Sequence, residues 1–451
     1  MRLLLAGVLS EAVYLWMARL PSANGLATVA SFLCAMALLF ALCAYAYRQL
    51  HHAVTRPALV AIFAAALVFR LTLIPAGLPD SEAGLFASLR ADVTGTTVEF
   101  DRFLLFDHDV WRFLWEGHVF SHRGSPAAFP PENADHSLIT PYQSERDWDH
   151  VLSFVNHPEE ATVYPPLAQQ LFLVSHAIAP GSVVAWKACV IAVDMTAMLF
   201  TALGLHAAGR SPGIAVLYGW NPLVVKVGAG SGHFDALVAC TVALCVWALL
   251  RRWRLVAALA FVAAALTKVF PVILFPLVLR RTGWRPLLVA GSAGLVVVAT
   301  QPGLIERLLH FGTRWRFNGG VHRALFSVES AWGGAGGVST AICAALALLI
   351  IAVVALRDDG APHSFAGRAA DTLGGCLVVS PAVFPWYVTW LLPAAVIGRR
   401  WHWVAFSALV CAAFLVMVNG REYPAALLLE YGALLALWLR FRDRKIERGF
   451  S

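Results

Sequence analysis

Apolar residues run along this chain in uninterrupted blocks, and polar residues collect in the gaps between them. Blocks of about 15–27 residues can cross a hydrocarbon layer about 30 Å thick, since a helix rises about 1.5 Å per residue. The pattern predicts crossings at 3–20, 24–47, 57–77, 163–180, 183–207, 233–250, 286–302, 336–356, 367–384, 386–398, 400–418 and 423–440. The first block follows Arg2 and lacks a clear small-residue cleavage site, so it reads as an uncleaved helix. The fold class expected is an all-α polytopic membrane protein.

Two stretches break the pattern. Arg251, Arg252 and Arg254 ask for the cytoplasm, and so do Arg280, Arg281 and Arg285, yet one crossing at 255–279 separates them. That run holds Lys268, Pro271 and Pro276, and proline interrupts a helix by removing a donor and clashing with the preceding turn. Two half-helices meeting near Lys268 resolve the conflict. The stretch 220–236, WNPLVVKVGAGSGHFDA, is likewise too rich in Gly, Pro and polar residues for an ordinary crossing. Irregular backbone at membrane depth survives only against protein or a water-filled cavity, so both breaks are expected to face one polar cavity.

Composition agrees with a membrane setting: of 451 residues, 59% are hydrophobic and only 14% charged, against about 25% charged in soluble domains. The net charge of +7 reads as arginine at cytoplasmic helix ends and not as a nucleic-acid surface. Arg48, Arg56 and the tail Arg440, Arg442, Arg444, Lys445 and Arg448 place both termini in the cytoplasm, and the stretch 79–162 outside. That stretch carries fifteen of the 27 acidic residues, five arginines and six of the 15 histidines. A second outside loop covers 303–335, and the whole of 1–451 reads as one integral membrane domain. The eight cysteines all sit in apolar blocks, so neither a disulfide framework nor a zinc site is expected.

Only four of the 34 basic residues are lysines, and two, Lys226 and Lys268, lie in the broken segments. A buried ammonium costs several kcal/mol, so such charges mark substrate paths. Here they suit a phosphate. The plainer alternative is that they snorkel or pair with a carboxylate such as Asp235. The outside loop offers Asp107, His108 and Asp109, then Arg112, at the end of a crossing. Sugar transfer with inversion needs one carboxylate as general base, and cations to neutralise a departing phosphate. Asp-x-Asp alone is weak evidence, because solvated loops are full of acids. Tyr164 with Pro165 and Pro166 reads first as a helix start; Trp386, Tyr387 and Trp390 read first as an interfacial aromatic belt, with sugar stacking the alternative. Asp194 and Glu11 read as partners of polar neighbours, and Asp135, Asp147 and Asp149 as solvated.

The run DHDVWRFLWEGHVFSHRGSPAAFPPENADHSL resembles the first external loop of bacterial polyprenol-phosphate-sugar-dependent transferases of the GT-C superfamily, which read S-D-D-V-x-R-Y-x-W-D/E-G-x-V. Further resemblances follow in order: Thr162-Val-Tyr164-Pro165-Pro166-Leu167-Ala-Gln169, Asn221-Pro222 with Gly232-His233-Phe-Asp235-Ala, Thr267-Lys268-Val-Phe-Pro271, Arg316-Phe317-Asn318, and Pro385-Trp386-Tyr387-Val-Thr-Trp390-Leu-Leu-Pro393. They run from about 56 to 395. The family's Asp-Asp pair stands here as His108-Asp109 with Asp107 displaced to the serine position, and its Gly-x-Asn-Pro-Tyr stands as Gly124-Ser125-Pro126-Ala-Ala.

The resemblance implies a GT-C-like fold of about 12–14 crossings with broken or re-entrant segments and a large first external loop. It implies an inverting hexosyltransferase of the cell inner (plasma) membrane. Such an enzyme moves a hexose, mannose by family weight, from a polyprenyl-phosphate donor to a glycan or glycolipid acceptor on the extracytoplasmic side. Asp109 becomes the base and Asp107 stands in for the missing first carboxylate. Lys268, Arg316, Lys226, His233 and Arg112 become the donor-phosphate group. His108, Glu116, Tyr164, Asp235, Asn318, Trp386 and Tyr387 become substrate contacts. No cofactor is certain; a divalent cation, Mg or Mn, stays open, with no metal ligand assigned. The rival readings are a transporter or flippase of a lipid-linked saccharide, whose broken helices look the same, and a non-catalytic sugar-binding subunit.

Overall fold

A computed structural model describes residues 1–20, 25–50, 54–78, 84–95, 100–139, 147–420 and 423–447. The chain is all-α. Among the described residues five helices are long and apolar enough to cross a membrane: Leu26–Gln49, Val183–Ala207, Gly337–Leu356, Trp401–Val418 and Pro424–Phe441. A sixth arises if Trp284–Ala299 and Leu304–Arg314, bent by 90°, count as one. These suit a multi-pass membrane protein. Gly337–Leu356 shows the lipid signature most plainly, with Ser339 and Cys343 buried while Leu348, Leu349 and Leu356 stand exposed.

The other crossings read from the sequence are present as shorter helices: Arg2–Met17 with 16 residues, Arg56–Thr72 with 17, Pro166–Ile178 with 13, Asp235–Leu250 with 16 and Pro362–Val378 with 17. Thr55 caps the start of one by accepting from Ala58 N, and Pro165 and Pro166 set the later start of another. The block at 386–398 is a 3₁₀ segment, Pro385–Leu391, running into Leu392–Gly398.

Both breaks are where the sequence places them. Lys268 is extended (φ −148°, ψ 140°) between the helix Arg254–Thr267 and the pair Phe270–Leu274 and Phe275–Thr282. The other consists of Pro222–Val225, a π-helical Lys226–Gly230, then a turn through Gly232 at φ +74°. A Cβ on Gly232 would meet the Trp186 indole at 3.0 Å, so this turn needs glycine for space and conformation alike. Arg281 is no solvated orientation signal, because it is buried and pairs with Asp358 through two 2.7 Å contacts. Of the tail residues, Arg448 lies outside the described residues.

The helices Val183–Ala207 and Asp235–Leu250 pack on each other in the main core. The acidic loop has a second core of its own. Trp111, Phe113, Trp115, Leu138, Trp148 and Val151 pack there with Phe172, Trp186 and Phe234 from the bundle. This cluster seats the loop on the helices beside the broken segments.

Candidate functional site

Asp107 and Asp109 follow a strained backbone. Leu105 and Phe106 adopt φ of +48° and +69°, a conformation that costs a non-glycine residue on the order of 1–3 kcal/mol and clusters at functional sites. Packing holds it: Phe106 lies edge-on to Phe32 at 5.0 Å, and Ser231 of the glycine-rich turn donates to Leu104 O at 3.1 Å. The loop and the first broken segment are thus stitched together just ahead of the two carboxylates.

From that point a chain of charges crosses to the second break. Asp107 Oδ2 lies 2.6 Å from His233 Nε2, and Asp107 Oδ1 accepts from the Asp109 amide at 3.0 Å. On its other side His233 Nδ1 lies 3.6 Å from Asp235 Oδ2. Asp235 Oδ1 pairs with Lys268 Nζ at 2.9 Å and accepts from Trp390 Nε1 at 2.6 Å. Three rings surround the Lys268 ammonium, Phe234, Tyr387 and Trp390, each within about 5 Å of centroid distance. Trp386 stacks on His233 at 4.0 Å. The aromatic-belt reading therefore gives way, because Trp386 and Trp390 are 5% and 2% exposed and face the charge chain.

The two loop carboxylates differ. Asp107 is fully committed. Asp109 is half-buried, and its Oδ1 accepts from Asn156 Nδ2 at 2.5 Å. Burial raises the Asp109 carboxyl above its ordinary range and the Asp107 charge raises it further, against His233, His108 and Lys268. Burial would raise Asp107 too, but the charge and hydrogen bond of His233 outweigh it and hold Asp107 low. Two adjacent carboxyls pushed apart in this way suit distinct roles, one a fixed charge and the other a proton acceptor.

The remaining candidates sort by place. Arg112 bonds Glu116 at 2.7 Å and donates to the carbonyls of Asn156, His157 and Glu160 at 3.4, 3.0 and 2.7 Å. It clamps the segment that presents Asn156 to Asp109, and it is not aimed at Asp109 or a phosphate. Glu116 completes the clamp by accepting from Thr162 Oγ1 at 2.6 Å. Tyr164 packs among Phe113, Phe172 and Phe234 at a helix start. His108 sits half-buried against Phe103. Lys226 is fully buried over the Phe414 ring at 4.1 Å, and its Nζ has no hydrogen-bond partner. The lysine-pairing alternative thus describes Lys268 and fails for Lys226.

Two candidates lie elsewhere. Arg316 is exposed, lies over Phe326 and donates to Ala335 O at 3.2 Å, so it does not join the charge chain. Asn318 donates to both Glu430 oxygens at 3.2 and 3.1 Å and docks the last helix. Nothing in the sequence pointed to Asn156, a neutral residue in a polar loop, or to the strain at Leu105 and Phe106. Trp390 was read as a belt residue, and its bond to Asp235 was not foreseen.

Asp107, Asp109 and His233 each bring a ligand atom within 4.8 Å of the others. A cation there would have to displace the 2.6 Å Asp107–His233 contact, and the group is closed by hydrogen bonds without one. No family model matches the chain, and neither curated proteins nor solved structures give a match.

Proposed function

We propose that the chain is an inverting hexosyltransferase that draws its sugar from a polyprenyl-phosphate donor and acts on a glycan or glycolipid acceptor at the outer face of the membrane. One observation carries the reading: a half-buried carboxylate with raised proton affinity, Asp109, stands at the head of a charge chain that ends in Lys268. In the proposed step Asp109 takes the proton from an acceptor hydroxyl. The freed oxygen attacks the anomeric carbon from the face opposite the phosphate. The bond from that carbon to the phosphate oxygen breaks, and its electron pair leaves as polyprenyl phosphate. Lys268, whose side chain is 16% exposed, offers the compact charge that neutralises the leaving group. Asp235 and Trp390 fix its position.

A groove of about 560 Å³ lies in the elbow of the bent helix pair, lined by Val298, Pro302, Leu304, Ile305 and Leu309. It adjoins the loop clamp, since Gln301 bonds Gln169 and Arg307 donates to Thr162 O at 2.8 Å. This apolar channel beside the clamp suits the prenyl chain of the donor.

Purified protein in detergent, given labelled polyprenyl-phosphate mannose and a glycolipid acceptor mixture, tests the reading. Release of polyprenyl phosphate that Asp109→Asn abolishes supports it; near-wild-type turnover by Asp109→Asn overturns the assignment of the base. Movement of the lipid-linked sugar across vesicles without transfer would instead favour the flippase that the two broken helices also fit.

A further inference from the structure

A second cluster lies on the other flank of the acidic loop, and the proposed transferase reaction does not use it. His118 and His122 are four residues apart on the helix Val110–Arg123 and therefore share one face. That face meets the helix Pro166–Ile178 closely. A Cβ on Gly117 would lie 2.6 Å from Phe172 O and 3.4 Å from the His176 Cβ, so only glycine permits this approach. The crossing brings His176 up to the pair, with ring centroids 5.4 Å from His118 and 6.1 Å from His122.

The hydrogen bonds leave each ring a bare nitrogen. His118 Nε2 lies 2.9 Å from Leu138 O, which can only accept, so Nε2 carries the proton and Nδ1 is a lone pair. That Nδ1 is buried with no partner, on a residue 1% exposed. His122 Nδ1 lies 2.9 Å from His118 O and 2.9 Å from Ser121 Oγ, whose own proton goes to His118 O at 2.8 Å, so Nδ1 carries the proton and Nε2 is free. His176 Nδ1 is also buried without a partner. A nitrogen from each ring lies within 4.8 Å of the others. Packing explains the rings' burial, since His118 stacks on Trp148 at 3.6 Å. It does not explain two buried ring nitrogens left without a partner, which are costly unless something fills them.

We infer that His118, His122 and His176 form a binding site for a divalent transition ion, zinc first, that clamps the acidic loop to the Pro166–Ile178 helix. Three neutral imidazoles without a carboxylate select a borderline ion over magnesium or calcium. The Leu138 carbonyl supplies the outer hydrogen bond that orients a ligating histidine. His122 is exposed and gives the ion its route in. Three protein ligands leave a fourth position for water. The absence of any zinc site, expected from the cysteines alone, does not extend to these histidines.

The test measures zinc per chain in the full-length protein, purified in detergent, stripped with chelator, reloaded with zinc chloride and freed of excess. About one zinc per chain is expected for the wild type, and less than about a tenth for His122→Ala and His176→Ala. His206→Ala, an exposed histidine elsewhere, should hold the wild-type amount. Because His122 is exposed, its alanine variant should fold, and zinc should raise the thermal midpoint of wild type but not of that variant. Wild type without stoichiometric zinc, or alanine variants that retain it, overturns the site. Neither readout depends on transferase activity.

Discussion

Two of the buried charged networks among the described residues are built differently. In the first, Arg70 Nε pairs with Asp194 Oδ2 at 2.7 Å, Tyr218 donates to Asp194 Oδ1 at 2.6 Å, and Arg70 Nη1 donates to the carbonyls of Ala66 and Gly219 at 2.8 Å each. Both charged side chains are sealed, at 0% and 1% exposure. The second, from Asp109 to Lys268, opens at both ends, because Asp109 is half-buried and the Lys268 side chain is 16% exposed. The sealed network does structural work for the open one. A Cβ on Gly228 would lie 3.4 Å from Asp194 Oδ2, so the π-helical turn that leads to His233 rests against it. A closed buried pair specifies geometry; a charge chain with open ends can meet a substrate.

The largest effect expected from this contrast is on rate. Under the proposed mechanism Asp109→Asn should lower sugar transfer by roughly 10²–10⁴-fold, the range a general base supplies. Its effect on stability should have the opposite sign. An acid whose folded pKa is raised binds protons more tightly in the folded state. Folded-state stability therefore falls as pH climbs from the unfolded value through the folded one, and the charge is a burden above both. Asp109→Asn should unfold at neutral pH no earlier than wild type, and a lower midpoint would make Asp109 a structural residue.

Next in size is the sealed pair. Arg70→Ala leaves Asp194 buried and uncompensated and should cost about 3–5 kcal/mol, read as a large fall in the thermal midpoint in detergent. Joint replacement by Arg70→Met and Asp194→Leu should recover most of that loss. If the double variant stayed as unstable as the single one, the network would be more than a paired charge.

The sequence carried the breaks well because their causes are local. Pro271, Pro276 and the run from Lys226 to Gly232 forbid an ordinary helix wherever they stand. Asp235 as a lysine's partner was also within reach, since an intramembrane charge demands a counter-charge; which lysine it served was not. Arg70 and Asp194 are 124 residues apart, and only the packed helices bring them together. Arg316 shows the reverse case: its motif is local, but the fold turns its guanidinium toward Phe326. Apolar length marks twelve blocks; among the described residues five helices, or six with the bent pair, reach spanning length, and the other blocks form helices of 17 residues or fewer.

The smallest effect tests how the open end is tuned. Asn156 donates to Asp109 Oδ1, and Arg112 holds the Asn156 carbonyl, so the amide is presented by the loop and not by chance. A hydrogen bond to a carboxylate favours its ionised form. Asn156→Ala removes that bond and should raise the Asp109 pKa further. The proposed transfer uses ionised Asp109, so on that mechanism the acid limb of the pH–rate profile should move to higher pH, by about one unit for a charge-assisted bond of about 1.4 kcal/mol. Above that limb the rate should return toward wild type, because the base itself is intact. A uniform loss at every pH would mean that Asn156 positions Asp109 without tuning it, and Arg112→Lys, which cannot reach three carbonyls in one plane, should then reproduce the loss.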